Sequence, residues 1–161
     1  MYSLLFVCTA NRYRSPIAAA IFQNKLQVIG VLDNWRVDSA GTWTEPGLKV
    51  VPQAQEAALS LGLNLDQHQT TLVSEDLLSA YDLIIVMEKG HKEALISDFP
   101  DMQERLYLLS EIVEDLAYSI PDPARYPQDA EVITREFIQL IQQGFINICQ
   151  VVEKLHNKTT R

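Results

Sequence analysis

Residues 4–16 read LLFVCTANRYRSP, and this stretch decides how the chain is expected to fold. The apolar run that ends at Cys8 has the length and composition of a buried β-strand. Ser15 and Pro16 are typical of a helix start, with the serine as N-cap and the proline at the first helical position. The stretch therefore predicts a strand, a tight loop and a helix, with Cys8 at the carboxyl end of the strand.

The loop that follows Cys8 is predicted to bind an anion. Backbone N–H groups and the positive end of the helix dipole would converge on its centre. The same electrostatic field favours the thiolate over the thiol, so Cys8 can act as a nucleophile. Arg14 adds a guanidinium that can hold a tetrahedral oxyanion through two parallel hydrogen bonds.

The remainder of the chain alternates between predicted strands and helices. After a first strand over 3–8, strands are predicted over 35–39, 82–87 and 105–109. Helices are predicted over 15–28, 53–61, 74–79, 89–97 and 129–156, and residues 111–127 are expected to start acidic and become loop-like. This alternation implies βαβ units with right-handed crossovers and a parallel sheet. Cys8 would lie at the edge of the sheet where such folds bind ligands.

Length and charge narrow the class of protein. With 161 residues, the chain is expected to form one domain spanning 1–161. The formal net charge of −8 argues against a nucleic-acid partner, which would require an extended basic surface. The sequence has no apolar run of about 18 residues and no basic leader with a cleavage site. We therefore expect a cytoplasmic protein without a membrane partner.

The cysteines and histidines predict neither a disulfide nor a metal site. The two cysteines are Cys8 and Cys149, and a cytosolic chain is not expected to join them. Cys149 lies in an apolar helical pattern, so we expect it to be buried and inert. Three scattered histidines do not have the spacing of metal ligands.

A cysteine, five residues, then Arg14, Ser15 and Pro16, placed after a hydrophobic strand near the N-terminus, resembles the low-molecular-weight protein tyrosine phosphatases. That family includes phosphoarginine phosphatases, and arsenate reductases share its fold. The resemblance implies an α/β three-layer sandwich with a four-stranded parallel sheet in the order 2-1-3-4, flanked by helices. It also implies a cofactor-independent hydrolase that releases inorganic phosphate from a phosphoprotein through a phosphocysteine intermediate. Phosphotyrosine is the favoured substrate.

The resemblance assigns roles to residues along the whole chain. Cys8 would be the nucleophile, and Arg14 would grip the phosphoryl oxygens. Asp122, followed by Pro123, would be the general acid that protonates the leaving group. The phosphate-binding loop would comprise Thr9, Ala10, Asn11, Arg12, Tyr13, Arg14 and Ser15.

Two further groups of residues are assigned by the same resemblance. Asn11 sits where the loop needs a left-handed residue, and asparagine tolerates a positive φ. Ser15, Ser39 and His68 would support the loop through hydrogen bonds. Trp43 would form one wall of the substrate pocket, and Tyr126 would form the opposite wall.

The loops depart from the family pattern at several positions. Ala10 stands where most members have glycine. Tyr13 replaces a second cysteine, which removes the vicinal disulfide that shields the nucleophile. Arg12 replaces a small or apolar wall residue, so it would favour anionic substrates or crowd a phosphotyrosine ring. Ala124 follows Asp122-Pro123, where aromatic residues usually stack on the substrate.

These departures leave other functions open beside phosphotyrosine hydrolysis. Phosphoarginine would be handled by the same chemistry. A thiol-dependent arsenate reductase would need additional cysteines to pass a disulfide onward. A phosphate- or phosphopeptide-binding module with weak catalysis is the remaining alternative, motivated by the residues at positions 10, 12 and 13.

Overall fold

The computed structural model of the chain describes residues 1–159 and has a single sheet of four strands. The strands are β1 Tyr2–Cys8, β2 Trp35–Gly41, β3 Leu83–Val86 and β4 Leu106–Leu108. They lie in the order β2-β1-β3-β4, and every neighbouring pair is parallel. The predicted fold class and strand order are therefore confirmed.

Within residues 1–159, six α-helices connect and cover the strands. They are α1 Arg14–Val28, α2 Pro52–Ser60, α3 Glu75–Ser79, α4 Lys89–Asp98, α5 Leu109–Glu114 and α6 Ala130–Thr159. Short 3₁₀ turns occupy Leu32–Asn34, Pro100–Arg105 and Pro123–Arg125. No helix within residues 1–159 is long and apolar enough to cross a membrane.

The pleat of β1 divides its side chains between two hydrophobic cores. Leu4, Phe6 and Cys8 belong to the core that α1 and α6 cover. Leu5 and Val7 belong to the core on the other face, under α3 and α4. Because both faces of the strand are buried, residues 4–8 form an uninterrupted apolar run, as expected for the centre of a parallel sheet. The result is the three-layer arrangement that the sequence predicted.

The predicted cap of α1 is wrong. The helix begins at Arg14, and the residue before it is Tyr13, which makes no side-chain cap hydrogen bond. Ser15 lies within the first turn, where its hydroxyl bonds to Cys8 and Asn11 instead of to the helix. Pro16 is tolerated there because the N–H groups of a first turn have no intrahelical partner.

The segment after β4 also differs from expectation. Residues 111–127 were expected to be loop-like, yet α5 occupies Leu109–Glu114. Oε2 of Glu111 accepts a hydrogen bond from the backbone N–H of Leu108 at 2.8 Å, and the same carboxylate forms an ion pair with Lys92 at 2.8 Å. The chain then turns at Asp115, whose φ is 56°. A helix of six residues is too short to show a clear apolar period.

The expectation for Cys149 is only half right. Its thiol is free, and the residue is partly exposed rather than buried. Burial and the nearby carboxylate of Glu153 still raise its pKa to about 11. The thiol is therefore protonated near neutral pH, which makes it a poor nucleophile.

Candidate active site

Cys8 ends β1 and points into the loop that precedes α1. The residue is only 2% exposed. Its sulfur lies 3.0 Å from the hydroxyl oxygen of Ser15. Since Asn11 donates a hydrogen bond to that oxygen, the hydroxyl hydrogen of Ser15 is available either to the sulfur or, at 3.3 Å, to the carbonyl of Ala40. A hydroxyl that donates to sulfur stabilises negative charge on it.

Asn11 holds the loop in shape from its centre. It is fully buried and has a φ of 56°, in the left-handed region. Its side-chain nitrogen donates to Ser15 at 2.8 Å and to Ser39 at 2.9 Å. Its side-chain oxygen accepts from the backbone N–H of Thr71 at 2.9 Å. Every hydrogen-bonding group of the amide is satisfied, so the network fixes a strained backbone conformation.

His68 supports the same residue from outside the loop. Its Nε2 lies 2.8 Å from the backbone carbonyl oxygen of Asn11. Since a carbonyl only accepts, Nε2 must carry the hydrogen. Burial lowers the pKa of His68, and the hydrogen bond to Asn11 opposes that shift. The structure thus brings together the four residues that the sequence grouped as loop support.

Gly41 allows β2 to approach the loop closely, and sequence reasoning missed it. A Cβ at this position would lie 2.7 Å from the carbonyl oxygen of Thr9 and 3.0 Å from the backbone nitrogen of Asn11. Just beyond it, the N–H of Thr42 donates to the Cys8 carbonyl and that of Trp43 to the Thr9 carbonyl, both at 2.9 Å. Glycine is therefore required here for backbone packing.

Arg14 is buried beneath the loop, with 1% of the residue exposed. Its Nη1 donates to the carbonyl of Ile120 at 2.8 Å and lies 3.1 Å from Oε2 of Glu88. Its Nη2 lies 3.5 Å from the hydroxyl of Thr9 and 3.7 Å from Oδ2 of Asp122. Nη1 is therefore held by two partners, Ile120 and Glu88, whereas Nη2 faces Asp122, the predicted general acid.

Glu88 and His91 complete this charge network, and sequence reasoning missed both. Oε2 of Glu88 is 3.1 Å from Nε2 of His91, and the same nitrogen is 2.8 Å from the hydroxyl of Thr9. The N–H of Glu88 donates to Nδ1 of His91 at 3.3 Å, so Nε2 carries the hydrogen of the neutral ring. Both residues follow β3 at the carboxyl edge of the sheet. Ligands bind at this edge in such folds, so the position could have indicated a functional role for them.

Burial is the main cause of a lowered pKa at His91, which falls to about 4. The charges of Arg14 and Arg125 act in the same direction, whereas Glu88 and Asp122 oppose it. His91 is therefore neutral near pH 7. It acts as a fixed hydrogen-bond donor in the network rather than as a proton carrier.

Asp122 begins the 3₁₀ turn Pro123–Arg125 and faces Arg14 across the loop. Its Oδ1 accepts the backbone N–H of Ala124 at 3.0 Å, which orients the carboxyl group. Its side chain is 18% exposed, so a substrate can reach it. The chain just before it is held by the N–H of Ile120, which donates to the carbonyl of Met87 at 2.8 Å.

The two predicted wall residues lie on loops beside the anion site. Trp43 is 82% exposed, so it does not pack on the core, and its backbone is tied to Thr9. Tyr126 is 52% exposed and follows the turn that begins at Asp122. Tyr13, by contrast, points toward α6, where its hydroxyl lies 2.8 Å from that of Thr134.

The geometry can support attack of a sulfur nucleophile on a tetrahedral oxyanion. A buried cysteine, a loop rich in N–H groups, a buried guanidinium and an accessible carboxyl group meet at one edge of the sheet. Within residues 1–159, no cluster of histidine, cysteine and acidic residues has an arrangement that could hold a metal ion.

Comparison with known proteins agrees with the chemistry that the site geometry can support. Residues 3–159 match the family model described as "Low molecular weight phosphotyrosine protein phosphatase". The protein-arginine-phosphatase of Bacillus subtilis is 32% identical over 141 residues, covering 87% of this chain and 92% of that protein. The low molecular weight protein-tyrosine-phosphatase Wzb of Salmonella typhi is 33% identical over 127 residues, covering 79% of this chain and 80% of that protein.

A solved structure adds a chemical detail. It is a mutant of the arginine phosphatase YwlE that carries a phosphorylated serine in its active site. It aligns with a TM-score of 0.74 and 29% identity, covering 88% of this chain and 94% of that one.

Proposed function

The chain belongs to the low molecular weight phosphotyrosine protein phosphatase family, and on this premise we propose that it dephosphorylates proteins through a phosphocysteine intermediate on Cys8. The observation that carries the proposal is the short contact of 3.0 Å between the Cys8 sulfur and Ser15, in a loop whose Arg14 guanidinium is buried and reaches the neighbouring Thr9. A sulfur in this setting can hold negative charge and attack phosphorus.

In the first step, the sulfur of Cys8 forms a bond to phosphorus while the bond to the leaving oxygen or nitrogen breaks. The loop N–H groups and Arg14 hold the three equatorial phosphoryl oxygens, and Asp122 gives a proton to the leaving group. Positioning and charge stabilisation account for most of the catalysis in such transfers. The serine phosphorylated in the YwlE mutant is consistent with a covalent step in that relative.

In the second step, water attacks the phosphorus of the phosphocysteine. The carboxylate of Asp122 takes a proton from the water, the sulfur–phosphorus bond breaks, and inorganic phosphate leaves. Asp122 thus acts first as an acid and then as a base, which requires that its carboxyl group face the phosphoryl site. Its position 3.7 Å from Nη2 of Arg14 is compatible with both roles.

Phosphotyrosine is the substrate that the walls favour. The exposed ring of Trp43 can stack on an aromatic ring, and the half-exposed ring of Tyr126 lies on the loop that carries Asp122. The positive charge of Arg12, which leans over the rim of the site toward Lys49, would repel the guanidinium part of a phosphoarginine substrate. Phosphoarginine remains the second candidate, because the similar Bacillus subtilis protein is a protein-arginine-phosphatase.

The position of Cys149 argues against a thiol relay of the arsenate reductase type. Cys149 lines a groove with Tyr2 and Trp35, which begin β1 and β2. Cys8 is at the other end of β1, and a strand of this length spans roughly 20 Å. The two thiols are therefore too far apart to form a disulfide without unfolding.

We propose that the protein acts in the cytoplasm, where a reactive thiol stays reduced.

Substitution of Cys8 by serine tests whether the protein is an enzyme. We expect Cys8→Ser to abolish release of phosphate from para-nitrophenyl phosphate, because serine is a weaker nucleophile than a thiolate and a phosphoserine, such as the one in the YwlE mutant, would keep the phosphoryl group bound to the enzyme. Cys149→Ser is the matched control, and we expect it to retain wild-type turnover. If wild type and Cys8→Ser were equally inactive while both still bound phosphate, the protein would be a binding module.

A panel of peptides separates the substrates. Phosphotyrosine, phosphoserine and phosphoarginine peptides of one sequence should be compared by kcat/KM. Preference for phosphotyrosine would support the proposal, and preference for phosphoarginine would assign the protein to the second candidate.

A further inference from the structure

Arg12 differs from the other loop residues in what its side chain does. Its Nε donates to the carbonyl of Lys49 at 2.7 Å, and its own carbonyl accepts the N–H of Val51 at 3.0 Å. The side chain therefore leans across the segment that also carries Trp43, instead of turning into the phosphate site. It forms part of the rim around the site rather than its floor.

The guanidinium of Arg12 has no carboxylate to neutralise it. Arg14 pairs with Glu88, Arg36 with Asp38, and Lys92 with Glu111, but among residues 1–159 no acidic side chain lies within ion-pair distance of Arg12. Arg12 is half-buried, and since its Nε is held by Lys49, the two terminal nitrogens remain as a fork that can bind an anion.

A second unpaired arginine lies on the other side of the site. Arg125 ends the 3₁₀ turn that begins after Asp122, is exposed, and has no ion-pair partner in the described part of the chain. Its charge is close enough to help lower the pKa of His91, after the larger effect of burial. Two free cations therefore flank the phosphate site on an otherwise acidic chain.

We propose that Arg12 is a specificity-determining residue that selects phosphorylated residues flanked by carboxylate side chains, with Arg125 as a weaker second contact. The inference rests on the proposed function, because it concerns the substrate of that same site. The loop N–H groups and Arg14 accommodate the phosphoryl group, which leaves the fork of Arg12 for a neighbouring aspartate or glutamate. Without such cations, a chain of net charge −8 would repel an acidic peptide.

A purely structural role for Arg12 is the alternative explanation. In that case the hydrogen bond to Lys49 would only hold the 41–51 segment against the loop. Removing the guanidinium would then lower the turnover of every substrate by a similar factor. A role in selection instead predicts that the loss depends on the charge of the substrate.

The test uses two phosphotyrosine peptides of the same sequence, one with two glutamates on each side of the phosphorylated residue and one with glutamines there. For wild type at low salt, we expect kcat/KM to favour the glutamate peptide by about five- to tenfold, as for one or two exposed charge pairs. High salt should reduce this ratio, because exposed charges are screened. Arg12→Gln should bring the ratio to within about twofold of one.

Two further variants test whether the effect is specific to the position and to the guanidinium group of Arg12. Lys154→Gln removes the same charge from the exposed end of α6, far from the site, and should keep the wild-type ratio. Arg12→Lys keeps the charge but loses the fork, so its ratio should be intermediate. If Arg12→Gln fails to fold, Arg12→Lys carries the test, and a ratio in Arg12→Lys equal to that of wild type would overturn the role of the fork.

The possible failures can be told apart. A wild-type ratio near one, or a loss of turnover in Arg12→Gln that is equal for both peptides, would overturn the inference and leave the proposed function standing. Absence of turnover by wild type for both peptides and for para-nitrophenyl phosphate would overturn the proposed function, and the inference with it.

Discussion

At the scale of single residues, the role proposed for Asp122 can be separated from a structural one. Asp122→Asn keeps the acceptor for the N–H of Ala124 but cannot give up a proton. We expect kcat/KM, which reports only the step that forms the phosphocysteine, to fall by about 10²- to 10³-fold for phosphate esters of poorly acidic alcohols, the usual range for loss of a general acid. Para-nitrophenol leaves readily as an anion, so its ester should lose less than about tenfold.

The measurement is a comparison of kcat/KM across aryl and alkyl phosphates of increasing leaving-group pKa, for wild type and Asp122→Asn. The dependence on the leaving group should be steeper in the variant. An equal loss for all esters would remove Asp122 from the acid role and leave it as a partner of Arg14.

Individual residues also differ in how far the sequence could predict their place. Cys8 and Arg14 belong to one short stretch, so local pattern was sufficient to bring them together. Ser39 and His68 were grouped with Asn11 only through the family resemblance, because their hydrogen bonds join distant parts of the chain. Glu88 and His91 were missed, since a glutamate and a histidine after a strand are common on protein surfaces.

At the scale of elements, the contact between α5 and α6 depends on one glycine. A Cβ at Gly144 would overlap a methyl group of Val113, so that side chain or one of the two helices would have to move. We expect Gly144→Ala to lower the free energy of unfolding by about 1–3 kcal/mol, the usual cost of overpacking. Denaturant unfolding measures this change.

Gly90→Ala is the matched control, because nothing lies within 4 Å of a Cβ at that position in α4. Alanine is the better helix former, so this variant should be neutral or more stable by up to about 1 kcal/mol. If Gly144→Ala were as stable as Gly90→Ala, the packing of Val113 would be looser than the structure shows.

Long elements were easier to predict than short ones. The seven-residue strand β1 and the thirty-residue helix α6 have sustained apolar patterns, and the structure confirms both. The six residues of α5 and the start of α1 depend on particular hydrogen bonds, such as those of Glu111 and Ser15, which no local pattern reveals. Tertiary contacts determine these features.

At the scale of the whole molecule, we propose that residues 1–161 form one domain. Both hydrophobic cores share the same central strand, so neither can unfold without exposing the other. Thermal unfolding should therefore be one cooperative transition. Far-UV circular dichroism and the fluorescence of the buried Trp35 should give curves that superimpose, measured on Trp43→Phe to remove the exposed tryptophan. Two separate transitions would contradict the proposal.

The anchoring of Arg14 has a thermodynamic consequence for the molecule as a whole. Immobilising an arginine side chain costs about 1.5–2 kcal/mol in rotamer entropy. Because Nη1 is already held by Ile120 and Glu88, that ordering takes place when the chain folds rather than when an oxyanion arrives. The guanidinium is thus preorganised, and most of its interaction energy with a phosphoryl group remains available for stabilising the transition state.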